Sequence, residues 1–235
     1  LHGELRTDGN VRLAKTKEEA YEMLRTLYLS SNSRTENNYT DFGAIVLGDT
    51  VEKIISQKLG KNLSFSKIMK IYLLEPLGLK QTRFNPKGFN ISGTGNYLGE
   101  VHDPKARVLG GAVGSAGLFT TSDDLALLAK NLYKVNCVNT GFISKMNLND
   151  IGDNLGKTQK ESEKNKGNLG VYLKHPMGFD KTYTPSEFAT GSFSHQGWTG
   201  SLATFDVVNG IHQNILVNAI YEDDDKSKVR NDKPI

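Results

Sequence analysis

The chain has 235 residues, 37% of them apolar and 23% charged, with a net charge of +3. That is ordinary globular composition, with enough apolar residues for one sizeable core. The basic residues are scattered, which excludes a nucleic-acid footprint; no run approaches the roughly 18 apolar residues of a membrane span, and a lone cysteine, Cys137, excludes an internal disulfide or a multi-cysteine zinc site.

The chain opens on Leu1, and "LHGELRTDGN" has no charged-then-apolar targeting pattern, so it reads as a piece of a longer protein. Residues 16–29 predict a helix: Thr16 caps it, glutamates fill its first turn, and Ala20, Met23, Leu24 and Leu27 recur at helical spacing. A polar loop over residues 30–38 leads to Tyr39-Thr40-Asp41, at a loop-to-helix junction. The helix that follows carries Phe42, Ile45, Val46, Asp49, Ile54 and Ile55 in a mostly helical rhythm, and Gly60 stops it. A third helix runs over residues 64–74, with Phe65, Ile68, Met69 and Tyr72 on one face and Pro76 and Gly78 beyond its end. Residues 84–120 are rich in Gly, Asn and Pro and lack periodicity, which predicts a long functional loop region.

A capped helix is predicted over residues 120–134, with Leu125, Leu128, Ala129 and Leu132 inward, then a charged loop around residues 156–168 and a strand over residues 169–175. The stretch "SHQGWTGSLATFDVVNGIHQNILVNAI", residues 194–220, predicts one hairpin. Asn209-Gly210 would form its type I′ turn, since both residues tolerate positive φ. Polar His195-Gln196-Gly197 stands at the mouth of that hairpin, where ordinary strand-end chemistry alone would account for it. Helices first and antiparallel strands last give an α+β fold, an antiparallel sheet packed with helices plus a helical lobe.

Several motif matches fail on context. Asp41-Phe42-Gly43 matches the magnesium triplet of kinases, but no glycine-rich strand loop, strand lysine or catalytic loop accompanies it. "GDNLGKT", residues 152–158, is one residue short of a phosphate loop and follows no apolar strand. No Gly-x-Ser-x-Gly elbow occurs. The histidines form no i, i+4 pair, and "EDDDK" lacks the glycine and terminal glutamate of a calcium loop, so no metal or other cofactor is expected.

What remains is an ordered set: Tyr39-Thr40-Asp41, then "GEVHDPKARVLGGAVGSAGLFTTSDDLALLAKNL", then "FSHQGWTGSLATFD". With "YTDFGAIVLGDTVEKIISQKLG" and "IYLLEPLGLKQTRF", these segments resemble the penicillin-recognising serine hydrolases: class C β-lactamases, penicillin-binding proteins such as D-alanyl-D-alanine carboxypeptidases, and their esterase relatives. The resemblance extends over most of residues 39–210 and implies the β-lactamase/transpeptidase-like fold. Tyr39 matches the general base, which works as a phenolate when nearby cations lower its pKa from about 10. Asp41 stands where the family often has Asn, hydrogen-bonding to substrate and to a nearby lysine. His195 matches the strand position usually held by Lys. Gly197 keeps bulk off a strand edge on which substrate lies as an added strand, the Trp198 N–H supplies an oxyanion donor, and Gln196 and Thr199 complete the substrate-binding segment.

The nucleophile departs from the pattern. Only 38 residues precede Tyr39, and none forms the family's Ser-x-x-Lys. Ser64-Phe65-Ser66-Lys67 is the one literal match, at chance level for this composition, and its serine is the natural cap of a helix whose apolar face excludes Lys67. The nucleophile is therefore expected upstream of Leu1. Ser115, in "GAVGSAG", reads as a small residue of a tight glycine loop, and His102-Asp103 as a loop-ordering pair. The expectation is one incomplete domain over residues 1–235, with a helical lobe over 16–134 and sheet strands over 169–220. By the resemblance, it is a serine hydrolase acting through an acyl-enzyme on D-amino-acyl peptides, β-lactams or esters, in an extracytoplasmic or cell-envelope setting. The alternative from another class is a non-catalytic module that binds or senses cell-wall peptides. Its partners would be small molecules or peptidoglycan-derived peptides.

Overall fold

The structure is a computed structural model and describes residues 3–7, 10–14, 16–26, 41–88, 91–94, 97–137, 187–189 and 192–219. It divides into two compact units. The first is drawn from Leu1–Leu29, Thr40–Thr120 and Asn218–Ile235, the second from Ser30–Tyr39 and Thr121–Val217.

In the first unit, β1 (Gly3–Thr7) and β2 (Asn10–Ala14) pair antiparallel with Thr7 opposite Asn10. Only Asp8-Gly9 separates them, the dipeptide that favours a two-residue hairpin, yet this pair is not among the predicted elements. Helix α1 (Lys17–Arg25) begins as predicted. Thr16 Oγ1 accepts from Glu19 N at 3.1 Å, Glu18 and Glu19 sit at the positive end of the helix dipole, and Ala20 and Leu24 are buried. Helix α2 (Asp41–Leu59) ends at Gly60, also as predicted. Helix α3 (Phe65–Met69), capped by Ser64, runs straight into a π-helical turn (Lys70–Leu74), where Glu75 N donates to Lys70 O at 2.9 Å. This wider turn lies inside the segment predicted as one helix and ends ahead of Pro76 and Gly78.

Residues 84–120 are less uniform than the predicted loop. Strand β3 (Arg83–Phe84) pairs with β6 (Leu118–Phe119), and β4 (Gly93–Thr94) pairs with β5 (Tyr97–Leu98). A short helix, α4 (Pro104–Val108), lies between these ladders in sequence, with Asp103 as its cap and Pro104 in its first turn. Elements this short have no period to detect. The glycine-rich connection after α4 lies directly on α2: a Cβ on Gly114 would stand 2.0 Å from the Ala44 carbonyl oxygen, and one on Gly48 would stand 3.1 Å from Gly114 N. Only glycine permits that approach. Ile45 of α2, Ala106 of α4, Leu109 and Val113 join Ala14, Ala20, Leu24 and Val101 in one buried cluster. Each fully buried isoleucine or leucine there contributes about 1.5–3 kcal/mol.

In the second unit, α5 (Ser122–Cys137) starts at Thr121, whose Oγ1 accepts from Asp124 N at 3.3 Å. Strands β7 (Phe193–Gln196), β8 (Leu202–Asp206) and β9 (Ile211–Ile215) form an antiparallel sheet in that order. Ala129 and Leu132 of α5 pack with Phe193, Phe205 and Val207, and the rings of Phe193 and Phe205, register partners, lie 5.6 Å apart. The other face of β7 and β8 is also covered, since Ser194, Thr204 and Asp206 are buried too.

Two sequence expectations change here. The predicted hairpin is a three-stranded meander, because His195 and Gln196 belong to a strand of their own, joined to β8 by a turn in which Gly197 N donates to Ser201 O at 2.7 Å. The β8–β9 connection is not a two-residue type I′ turn. Asp206 is opposite Ile211, so residues 207–210 form it, and of Asn209 and Gly210 only Gly210 has positive φ, at 72°. The reason is Val207, which is anchored in the apolar core and lengthens the connection, while the Asp206 carboxylate gathers the amides that follow. The predicted strand over residues 169–175 lies outside the described residues.

Candidate active site

The motif residue Asp41 is the first residue of α2, where a carboxylate meets the positive end of the helix dipole. Tyr39 and Thr40, which precede it, lie outside the described residues. The Asp41 carboxylate is paired with Lys105: Lys105 Nζ stands 3.4 Å from Asp41 Oδ2 and 3.3 Å from Asp103 Oδ2. Asp103 Oδ1 accepts from Lys105 N at 2.7 Å and from Ala106 N at 3.3 Å, so Asp103 orders its loop by capping α4. The His102 carbonyl accepts from Arg107 Nη2 at 3.2 Å. Lys105 is absent from the predicted site. Its signal is a lysine two positions after a helix-capping aspartate, and its partner Asp41 is remote in sequence.

The other predicted site residues lie together in the second unit. His195 is exposed and Gln196 half-buried at the end of β7, Gly197 follows, and Trp198 and Thr199 occupy the turn, with Trp198 68% exposed. Strand β7 pairs with β8 on one side, and among the described residues no strand pairs with its other edge. Because Gly197 N points at Ser201, the alternation of strand amides turns the His195 N–H toward β8 and the Gln196 N–H toward the open edge. Among the described residues, the Trp198 N–H has no acceptor.

Gly197 is unlike the crowded glycines of the first unit. An added Cβ would meet only Ser201 O at 3.7 Å and Thr199 Oγ1 at 4.0 Å, both ordinary contacts, and its φ lies outside the left-handed region. Among the described residues, nothing in the packing demands a glycine there. The near match Ser64-x-x-Lys67 is a helix start. Ser64 Oγ accepts from Lys67 N at 3.4 Å and lies 3.1 Å from Ser66 Oγ, and Lys67 is exposed. The Ser115 hydroxyl is buried in the glycine-rich connection with no hydrogen-bond partner among the described residues.

Among the described residues no group of His, Cys, Asp and Glu could hold a metal ion, and no helix is long and apolar enough to cross a membrane.

Helices with a glycine-rich connection laid on them, and an antiparallel sheet that offers an open edge, define the α+β class of β-lactamase/transpeptidase-like folds. The chain belongs to the beta-lactamase family, whose model matches residues 2–233. It is 28% identical over 230 residues to a Salmonella gallinarum protein provisionally named a D-alanyl-D-alanine carboxypeptidase, a match covering 87% of this chain and 50% of that protein. The chain thus spans about half the length of the curated relatives it matches. Two solved structures share the fold. "EstCE1, a hydrolase with promiscuous acyltransferase activity" gives a TM-score of 0.58 at 17% identity, covering 92% of this chain and 60% of its own. A penicillin-binding protein homologue from Caulobacter crescentus gives 0.51 at 15% identity, covering 86% and 58%.

Proposed function

We propose that the chain carries the substrate-binding edge and part of the proton-transfer machinery of a serine hydrolase. It would act through an acyl-enzyme on a D-amino-acyl peptide, a β-lactam or an ester. The observation that carries this reading is the edge of β7 away from β8, which has no strand paired to it among the described residues and leads into a glycine whose added Cβ would meet only ordinary contacts there. A substrate laid along that edge as an added strand would take backbone hydrogen bonds from it and pass Gly197 without a clash.

In the proposed reaction a serine Oγ forms a bond to the substrate carbonyl carbon while its proton passes to the Tyr39 phenolate. The carbonyl oxygen becomes an oxyanion, held in part by the Trp198 N–H. The tetrahedral intermediate then collapses, the leaving amine or alcohol takes the proton from Tyr39, and water cleaves the acyl-enzyme. Asp41 and His195 orient the substrate, with Gln196 and Thr199 beside it, and no cofactor enters.

The serine is proposed to lie outside residues 1–235. Ser64 is spent on a helix cap, and the chain covers half of its curated relatives. The carboxypeptidase name of the Salmonella relative and the hydrolase and acyltransferase activities of EstCE1 support the acyl-transfer class. An extracytoplasmic or cell-envelope setting is proposed on the same resemblance.

The test is to treat this chain and the protein extended to the length of its relatives with a fluorescent penicillin and a fluorophosphonate, and to map adducts by mass spectrometry. The extended protein should be labelled on one serine and residues 1–235 alone on none. A stoichiometric adduct on Ser64 or Ser115 would overturn the placement of the nucleophile. An extended protein that reacts with neither probe would favour a module that binds cell-wall peptides without turning them over.

A further inference from the structure

We propose that Lys105 is a positioning residue of this hydrolase: its ammonium, shared between Asp41 and Asp103, holds the Asp41 carboxylate at the start of α2 in the orientation that substrate meets. The inference rests on the serine-hydrolase reading, which puts Asp41 against substrate.

Lys105 has a fixed anchor in Asp103, whose one oxygen caps α4 through Lys105 N and Ala106 N while the other meets Lys105 Nζ at 3.3 Å. The helix that delivers Lys105 is itself tied to α2, because Ala106 and Leu109 share a buried cluster with Ile45, and Phe42 packs against it. The lysine therefore reaches Asp41 from a wall packed on the same helix that Asp41 begins. The Lys105 side chain is 23% exposed and that of Asp41 38%, so the pair is partly shielded and keeps more of its attraction than a fully solvated one. Two carboxylates at neighbouring helix starts repel each other, and the ammonium between them reverses that. An asparagine at residue 41 would need no such cation; an aspartate does.

The test uses the extended, catalytically complete protein with an activated ester and with penicillin. Lys105→Met keeps the aliphatic stem and removes the charge, and it should lower kcat/KM about tenfold, mostly in kcat, because a misdirected side chain costs most at the transition state. Lys105→Arg should recover most of that loss. In an Asp41→Asn background the Lys105→Met change should matter less than about twofold, since residues acting as a pair are not additive. Urea unfolding of the same set supplies a readout independent of turnover: a favourable Asp41–Lys105 coupling that shrinks in about 1 M NaCl. Wild-type kinetics in Lys105→Met, or an equal loss with Asn at residue 41, would overturn the proposal. A protein inactive on every substrate would overturn the hydrolase reading, and with it the positioning role, while the unfolding cycle would still report whether the two residues are coupled.

Discussion

Gly197 separates two reasons for a glycine. At Gly114 a side chain would run into the Ala44 carbonyl, so the fold itself demands glycine; at Gly197 a Cβ would meet only ordinary contacts. Gly197→Ala should therefore leave unfolding within about 0.5 kcal/mol of the parent value, as surface substitutions usually do. It should nonetheless lower acylation of the extended protein at least about tenfold, because the new methyl stands on the edge where substrate must lie. Unchanged acylation by penicillin and ester alike would remove the edge-binding model. His195, Gln196 and Gly197 were legible as a group because they are adjacent in sequence, in a segment that resembles the substrate strand of the penicillin-recognising hydrolases. Lys105 was not, because its partner Asp41 lies more than sixty positions away and no local pattern encodes a pairing made only by packing α4 on α2. Tyr39 rests on its motif alone.

The connection between β8 and β9 depends on a single carboxylate. Asp206 is 1% exposed. Burial acts most strongly on it and raises its pKa, but hydrogen bonds from Ala189 N, Asn209 N, Asn209 Nδ2 and Val208 N together outweigh burial and hold the group below its ordinary 3.8. A carboxyl with a lower pKa when folded stabilises the protein above its unfolded pKa, and that contribution disappears as pH falls through the folded one. Stability should thus be level near neutrality and decline on acidification below about pH 4. Asp206→Asn should cost about 2 kcal/mol at pH 7 and flatten the acid decline, as read by urea unfolding between pH 7 and pH 3. A variant as stable as wild type at pH 7 would mean that the turn is held by other contacts. Asn209-Gly210 was legible as part of the turn, but the turn type was not, because Val207 reads as one more strand residue whereas its burial in the core leaves residues 207–210 to form the connection. Helices α1 and α5 were legible because caps and apolar spacing agree over many residues, while in α2 the spacing marked a helix but not its buried face, since Ile45 is buried and Val46 and Ile54 are exposed. The first hairpin was missed although Asp8-Gly9 marks it, since its flanking strands mix charged and apolar residues without clean alternation.

Across the whole chain, the glycine-dense connection on α2 and the sheet on α5 belong to separate units. Among the described residues, the two outer strands of the sheet also differ in character. Strand β9 exposes Ile211 and Ile215, whereas β7 leads into Gly197 and Trp198. This geometry has a kinetic signature in amide hydrogen exchange. The central strand β8 is bonded on both sides, so its amides should exchange slowly with or without ligand, while the Gln196 amide, turned to the open edge of β7, should exchange quickly in the unliganded protein. A strand-like inhibitor added along β7 should slow Gln196 and leave His195, already directed at β8, as it was. Every second amide would record the ligand, so an exchange experiment at single-residue resolution can distinguish a substrate laid as an added strand from one that merely touches the sheet face, where protection would fall on neighbouring amides alike.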